Sequence, residues 1–146
     1  MSQPILKVKK SEFSSQLKYA KPGDVGLDLR AYLPNGAVVL PPLGRMIIKS
    51  DISVAIPEGH EATVRPRSGQ ASKVGLVPSV GTVDTLYRGD VGIICFNLSN
   101  DNLIINHGDR IAQLVISPVT ICQVVEVDEL DETERGSTGF GSTGTK

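Results

Sequence analysis

This sequence predicts a single all-β domain built from short strands, and three observations carry the prediction. The chain has 146 residues, enough for one domain with a real core. Aromatics make up only 4% of it and tryptophan is absent, so Val, Ile and Leu must fill the interior, and that β-branched bias favours sheet over helix. Fifteen glycines and nine prolines fall largely between short apolar runs, the punctuation of a protein with many turns.

The elements follow in order. Ile5 to Lys9 alternates apolar and polar residues and reads as a first strand. Val25 to Tyr32 is a second, with Leu27, Leu29 and Ala31 on one face and Asp28 and Arg30 on the other. Ala37 to Leu40 runs into a turn at Pro41-Pro42-Leu43-Gly44. Arg45 to Lys49 and Ile52 to Ile56 are further strands, the latter closed by Pro57-Glu58-Gly59, and Glu61 to Arg65 comes next. Gln70 to Val74 is the one segment with a helical signal, a single short turn. Gly81 to Gly89 reads as a hairpin between apolar runs. Val91 to Asn97, Ile111 to Ile116 and Ile121 to Val127 complete the strands. A spacing of about 8–12 residues between strands suits a sandwich, a jelly roll or a barrel. No internal repeat or second domain is visible.

Charge and composition narrow the function classes. A net charge of −1 provides no basic excess to track a polynucleotide backbone. No apolar stretch is long enough to span a bilayer, and residues 1–10 lack the apolar core of a secretory signal. Cys95 and Cys122 sit in apolar runs and read as small buried hydrophobes, which suggests a reducing, cytoplasmic compartment, with the nucleus as a further location in a eukaryotic source. No Cys/His cluster has the spacing of a zinc site.

Five segments carry chemistry. Gly26-Leu27-Asp28-Leu29 holds an acid between apolar neighbours on a strand. Arg65-Pro66-Arg67-Ser68-Gly69 joins two arginines to a Ser-Gly step, whose hydroxyl and N–H suit phosphate oxygens while Arg67 balances charge. Gly81-Thr82-Val83-Asp84-Thr85-Leu86-Tyr87-Arg88-Gly89 places a carboxylate able to activate water three residues before a tyrosine ring. In Gly108-Asp109-Arg110-Ile111-Ala112-Gln113-Leu114, the polar Gln113 interrupts an apolar strand and needs hydrogen-bond partners. The tail from Arg135 to Gly144 has four glycines and four small hydroxyl residues beside one arginine and one phenylalanine. Such a tail cannot build a core, and taken alone it reads as solvated. It nonetheless has the parts of a phosphate clamp: pliable backbone N–H groups, hydroxyls, a forked cation, and in Phe140 a flat apolar face.

In this order and spacing the five segments resemble the trimeric deoxyuridine triphosphatase (dUTPase) family over roughly residues 20 to 144. The resemblance implies a jelly-roll-like β-barrel over 1–132 with a flexible, glycine-rich arm over 133–146. It also implies a homotrimer whose active sites lie between subunits and are closed by that arm. The implied reaction is hydrolysis of dUTP to dUMP and pyrophosphate by water attack on the α-phosphorus, with Mg²⁺ held mainly by the substrate's phosphates. Such an activity keeps uracil out of DNA and supplies dUMP for thymidylate synthesis. By resemblance, Asp84 activates the water and meets the sugar 3′-OH, and Tyr87 packs under the sugar and excludes ribonucleotides. Gly81, Thr82, Val83 and Gly92 read the uracil edge, while Arg67, Ser68, Gly69 and Gln113 hold phosphates. Asp28 supports the metal through water. In the arm, Arg135 grips the γ-phosphate, Phe140 stacks on uracil, and Gly141, Ser142 and Thr143 wrap the phosphates. The chain departs from the family pattern at Gln70 and Leu86, and at Thr138, which stands where the family has glycine. A deoxycytidine triphosphate deaminase shares the fold, but the segment from Asp84 to Tyr87 and the complete arm favour the hydrolase. A non-catalytic nucleotide sensor on the same scaffold is disfavoured by the intact Asp84 and arm.

Overall fold

Among the described residues, 2–145, the computed structural model contains eleven strands and one helix. They run β1 (Lys7–Lys10), β2 (Gly26–Arg30), β3 (Val38–Leu40), β4 (Arg45–Ile48), β5 (Ile52–Ala55), β6 (His60–Arg65), α1 (Ser68–Lys73), β7 (Leu76–Pro78), β8 (Gly81–Val83), β9 (Ile93–Asn97), β10 (Leu103–Ile105) and β11 (Arg110–Pro118). Every pairing is antiparallel. The largest sheet has the order β2-β11-β6-β8, a second β4-β9-β7, and two ribbons join β1 to β5 and β3 to β10. This is the jelly-roll-like β-fold that the sequence implied.

The alternation read in β2 holds: Leu27, Leu29 and Ala31 are buried while Asp28 and Arg30 stay half-buried on the opposite face. Between Arg110 and Ala112 the register of β11 against β2 slips, and Ile111 is the inserted residue. The bulge puts the neighbours Ile111 and Ala112 both in the interior, then sets Gln113 directly opposite Asp28 on one side and Arg65 on the other. A row of polar side chains thus crosses three strands. With no tryptophan available, the core is aliphatic, centred on Leu29, Ile93, Ile111 and Leu114, with Cys95 among them. Burial pushes the Cys95 thiol up to about 11, so it is a neutral packing group. Asn97 is the one large polar side chain buried outright, and its amide is fully satisfied. Its Nδ2 donates to the carbonyls of Leu40 (2.8 Å) and Asp101 (2.7 Å), and its Oδ1 accepts from the N–H and Oγ of Ser99.

The structure corrects four expectations. The segment Gly81 to Gly89 is not a hairpin, because β8 pairs with β6 whereas β9 pairs with β4 and β7. Residues 84–92 therefore cross from one sheet to another. The helix starts two residues earlier than read, at Ser68, because Gly69 is tolerated in its first turn. Ile121 to Val127 has no regular secondary structure and pairs with no described strand. Ile121, Val124, Val125 and Val127 are all exposed, and so is Cys122, which was read as buried. The last backbone hydrogen bond from this end of the chain to the barrel is the Val119 N–H to the Gly59 carbonyl, at 2.9 Å.

Candidate functional site

The loop between β8 and β9 builds one pocket. It opens with a turn in which the Tyr87 N–H donates to the Asp84 carbonyl at 3.0 Å. The Tyr87 hydroxyl donates to the Asp90 carbonyl at 2.8 Å, and the Asp90 carboxylate accepts the Ser50 N–H at 3.2 Å. Two more bonds lock the exit of the loop: Val91 N–H to the Ile52 carbonyl and Gly92 N–H to the Asp90 carbonyl. Between this loop and the sheet is a cavity of about 220 Å³, floored by Val64, walled by Gly81, Thr82 and Val83, and edged by Asp84, Tyr87 and Gly92. Pockets that swallow a whole drug-sized ligand run to roughly 300–1,000 Å³, so a ligand larger than a base and sugar must extend out of this one. Because β8 is the edge of its sheet, its free side offers backbone donors and acceptors to a planar ligand edge. Asp84 is exposed at the rim, and Tyr87 is about half exposed.

The second group of predicted residues gathers around the polar row. The Gln113 amide donates through Nε2 to the Pro66 carbonyl at 2.9 Å, which ties the Arg65–Gly69 loop to β11. Arg67 donates through Nη1 to the Arg110 carbonyl at 3.2 Å and lies 3.5 Å from Asp28 through Nε. Arg110 approaches the other Asp28 oxygen at 3.6 Å. At these lengths and exposures the ion pairs orient the two guanidiniums more than they stabilise the fold. Ser68 and Gly69 are exposed beside them, with nothing within 4 Å of where a Gly69 side chain would begin. On the sheet face beneath, Gly26 is buried and has no alternative residue: a Cβ there would sit 2.8 Å from Cδ of Gln113 and closer still to its Oε1. No side-chain hydrogen bond or ion pair among the described residues joins this cluster to the Asp84 pocket, although both border β6.

The arm residues are brought to neither group. Arg135 donates through Nε to the Thr138 carbonyl at 3.0 Å, and the Thr138 hydroxyl donates back to the Arg135 carbonyl at 2.8 Å. Ser142 and Gly144 bond only to Gly139 and Gly141. Phe140 is fully exposed, with a positive φ of 51° followed by +81° at Gly141.

Arg110, Asp90, Gly89 and Gly26 lie in or beside the candidate site without having been given a role from sequence. Arg110, Gly89 and Gly26 stand within the quoted segments, but the tie of Arg110 to Asp28 appears only in the fold. No three His, Cys, Asp or Glu side chains converge on a metal position among the described residues. Asp28 is a single carboxylate with each oxygen facing a guanidinium, so the residues here do not form a cage for a directly bound cation.

The structure thus sets a free strand edge, an exposed carboxylate and a pair of oriented guanidiniums on one β-fold. The sequence model of the dUTPase family matches residues 14–144. The deoxyuridine 5'-triphosphate nucleotidohydrolase of Caulobacter vibrioides is 50% identical over 129 residues, which span 86% of this chain and 83% of the relative. That of Syntrophotalea carbinolica is 46% identical over 142 residues, 95% of this chain and 96% of the relative. Among solved structures, a dUTPase mutant of Staphylococcus bacteriophage 80alpha with dUpNHpp superimposes with a TM-score of 0.83 at 30% identity, covering 97% of this chain and 99% of the other. A mutant dUTPase from phage phi11 of S. aureus, described for its coordination of a structural Mg(II) ion, gives 0.79 at 29% identity over 88% and 99%. The chain belongs to the dUTPase family.

Proposed function

We propose that this chain is a dUTP diphosphatase that converts dUTP to dUMP and pyrophosphate. The observation that carries the proposal is the Asp84 pocket: an apolar floor, a free strand edge, a half-exposed tyrosine ring and an exposed carboxylate at one rim. In this reading the uracil edge meets the backbone from Gly81 to Val83 and at Gly92, and the sugar lies on Tyr87. Asp84 orients a water and takes its proton as the water's oxygen attacks the α-phosphorus, and the bond to the β-phosphate oxygen breaks. The triphosphate leaves the pocket, as the cavity's size requires, and meets Arg67, Ser68, Gly69 and Gln113. A Mg²⁺ ion bound to those phosphates would offset their charge, with Asp28 reaching its water shell.

No side-chain hydrogen bond or ion pair among the described residues joins the two groups, although both border β6; this is compatible with a homotrimer in which neighbouring subunits supply the two halves of each site. The bare apolar stretch from Ile121 to Leu130 supports it, since about 85% exposure of Ile121, Val124 and Leu130 is unusual for a finished surface. The arm would then close over a site, with Arg135 on the γ-phosphate, Phe140 on uracil, and Gly141, Ser142 and Thr143 about the phosphates. Closure excludes water and completes the charge balance.

Pyrophosphate release measured on dUTP, dCTP, dTTP and UTP, with and without Mg²⁺, tests the assignment. Turnover confined to dUTP and dependent on Mg²⁺ is expected. In the same assay Asp84→Asn should lose about 10²- to 10⁴-fold in kcat while retaining dUTP binding. Near-normal kcat would remove Asp84 from the role of base.

A further inference from the structure

Gly89 is not a glycine for the sake of its own backbone. Eight glycines among the described residues have positive φ, and Gly89 is not one of them. What excludes a side chain there is Tyr87. A Cβ on residue 89 would lie 2.6 Å from Cζ and 3.0 Å from Cε2 of the Tyr87 ring, and nearer still to its hydroxyl. The ring therefore folds back over the bare Cα of Gly89. It is held there at both ends, by the Tyr87 N–H on the Asp84 carbonyl and by the hydroxyl on the Asp90 carbonyl. Asp90 is itself fixed, through its carboxylate, to the N–H of the buried Ser50. The result is a half-exposed ring, held at both ends, that lines the Asp84 pocket.

We propose that Gly89 is a positioning residue for substrate selection: its missing side chain seats the Tyr87 ring at the height that fits deoxyribose and leaves no room for a 2′-hydroxyl. The proposal rests on the reading that the sugar lies on Tyr87. An alanine at residue 89 meets no backbone penalty of the kind a positive φ would impose, so its effect passes through the ring alone. The ring is half exposed, so it has solvent to move into when displaced and the fold should survive the substitution.

The test is a double-mutant cycle on the full chain with Gly89→Ala, Tyr87→Ala and the pair, comparing kcat/KM for dUTP and UTP. Ring position is followed separately by nuclear Overhauser contacts between the Tyr87 ring and the Cα protons of residue 89. Gly89→Ala should lose those contacts, raise KM for dUTP more than it lowers kcat, and reduce selectivity against UTP by about tenfold. In the Tyr87→Ala background it should change selectivity by less than about twofold, because the ring it acts through is gone. If Tyr87→Ala relaxes selectivity but Gly89→Ala does not, the role of Gly89 is overturned while the sugar reading stands. The same loss from Gly89→Ala in both backgrounds overturns it as well. If Tyr87→Ala leaves selectivity unchanged, the sugar reading falls and the role of Gly89 falls with it.

Discussion

The Asp84 pocket and the C-terminal arm are built on opposite principles. Every segment of the pocket is committed before a ligand arrives. Its loop is tied to Ile52, Ser50 and His60 by long-range hydrogen bonds, and its floor belongs to the aliphatic core. The arm is committed to nothing: from residue 133 to residue 145 each of its hydrogen bonds closes within three residues. A pocket that discriminates between similar sugars gains from rigidity, because discrimination of a single hydroxyl requires walls that do not yield. A segment that must admit substrate and release product gains from having no resting contacts to break.

The comparison breaks most simply at the arm. Deleting residues 134–146 removes Arg135, Phe140 and the glycine-hydroxyl run but no core residue. Turnover of dUTP should fall by roughly 100-fold or more, the scale of losing correct positioning of the reacting groups. The circular dichroism spectrum and melting temperature should stay as in the full chain. A melting temperature lowered by ten degrees or more would show that the arm is part of the folded body, and the contrast drawn between the two regions would be wrong.

The difference between the regions also explains what the sequence showed and what it hid. Period-two alternation placed Leu27, Leu29 and Ala31 inward because one side of β2 is core and the other is not. Gln113 was marked by its polarity within an apolar run, and its partner proved to be a carbonyl 47 residues away that no local pattern encodes. Local reading misjudged Gly81 to Gly89 because the turn chemistry of a hairpin is present, while the flanking strands find better partners in separate sheets. The stretch from Ile121 to Val127 has a strand's pattern without a strand's partner within the chain. The catalytic candidates Asp84 and Tyr87 stood out as chemical groups. Gly26 and Gly89 did not, since each is defined by a side chain that folding brings against it.

Gly26→Ala sharpens the comparison from the barrel side, with a smaller effect on turnover than the arm deletion. The added methyl is driven into the Gln113 amide, which must move away from it. Destabilisation of about 1–3 kcal/mol is expected by chemical denaturation, the usual cost of overpacking. Activity should fall by about tenfold as Gln113 leaves the Pro66 carbonyl and the Arg67–Gly69 loop loses its tie. Gln113→Ala in the same chain should restore stability but not activity. Failure to restore stability would place the strain elsewhere than at Gln113.

Thr138→Gly should give the smallest effect and probe the turn that engages the Arg135 guanidinium. The Thr138 hydroxyl and the Arg135 guanidinium close a reciprocal turn in which Nε is occupied and both Nη groups remain free to fork onto a phosphate. The turn restrains a long side chain before it binds, and ordering such a side chain on binding costs about 1 kcal/mol. Glycine removes the hydroxyl and frees the backbone, so that cost returns at the moment of closure. KM for dUTP should rise by about twofold to fivefold with kcat nearly unchanged. The opposite result, a lower KM and faster turnover, would mean that the turn holds Arg135 away from the phosphates. The arm would then carry a restraint of its own, and its resting state would resemble the pocket's more closely than its lack of long-range contacts suggests.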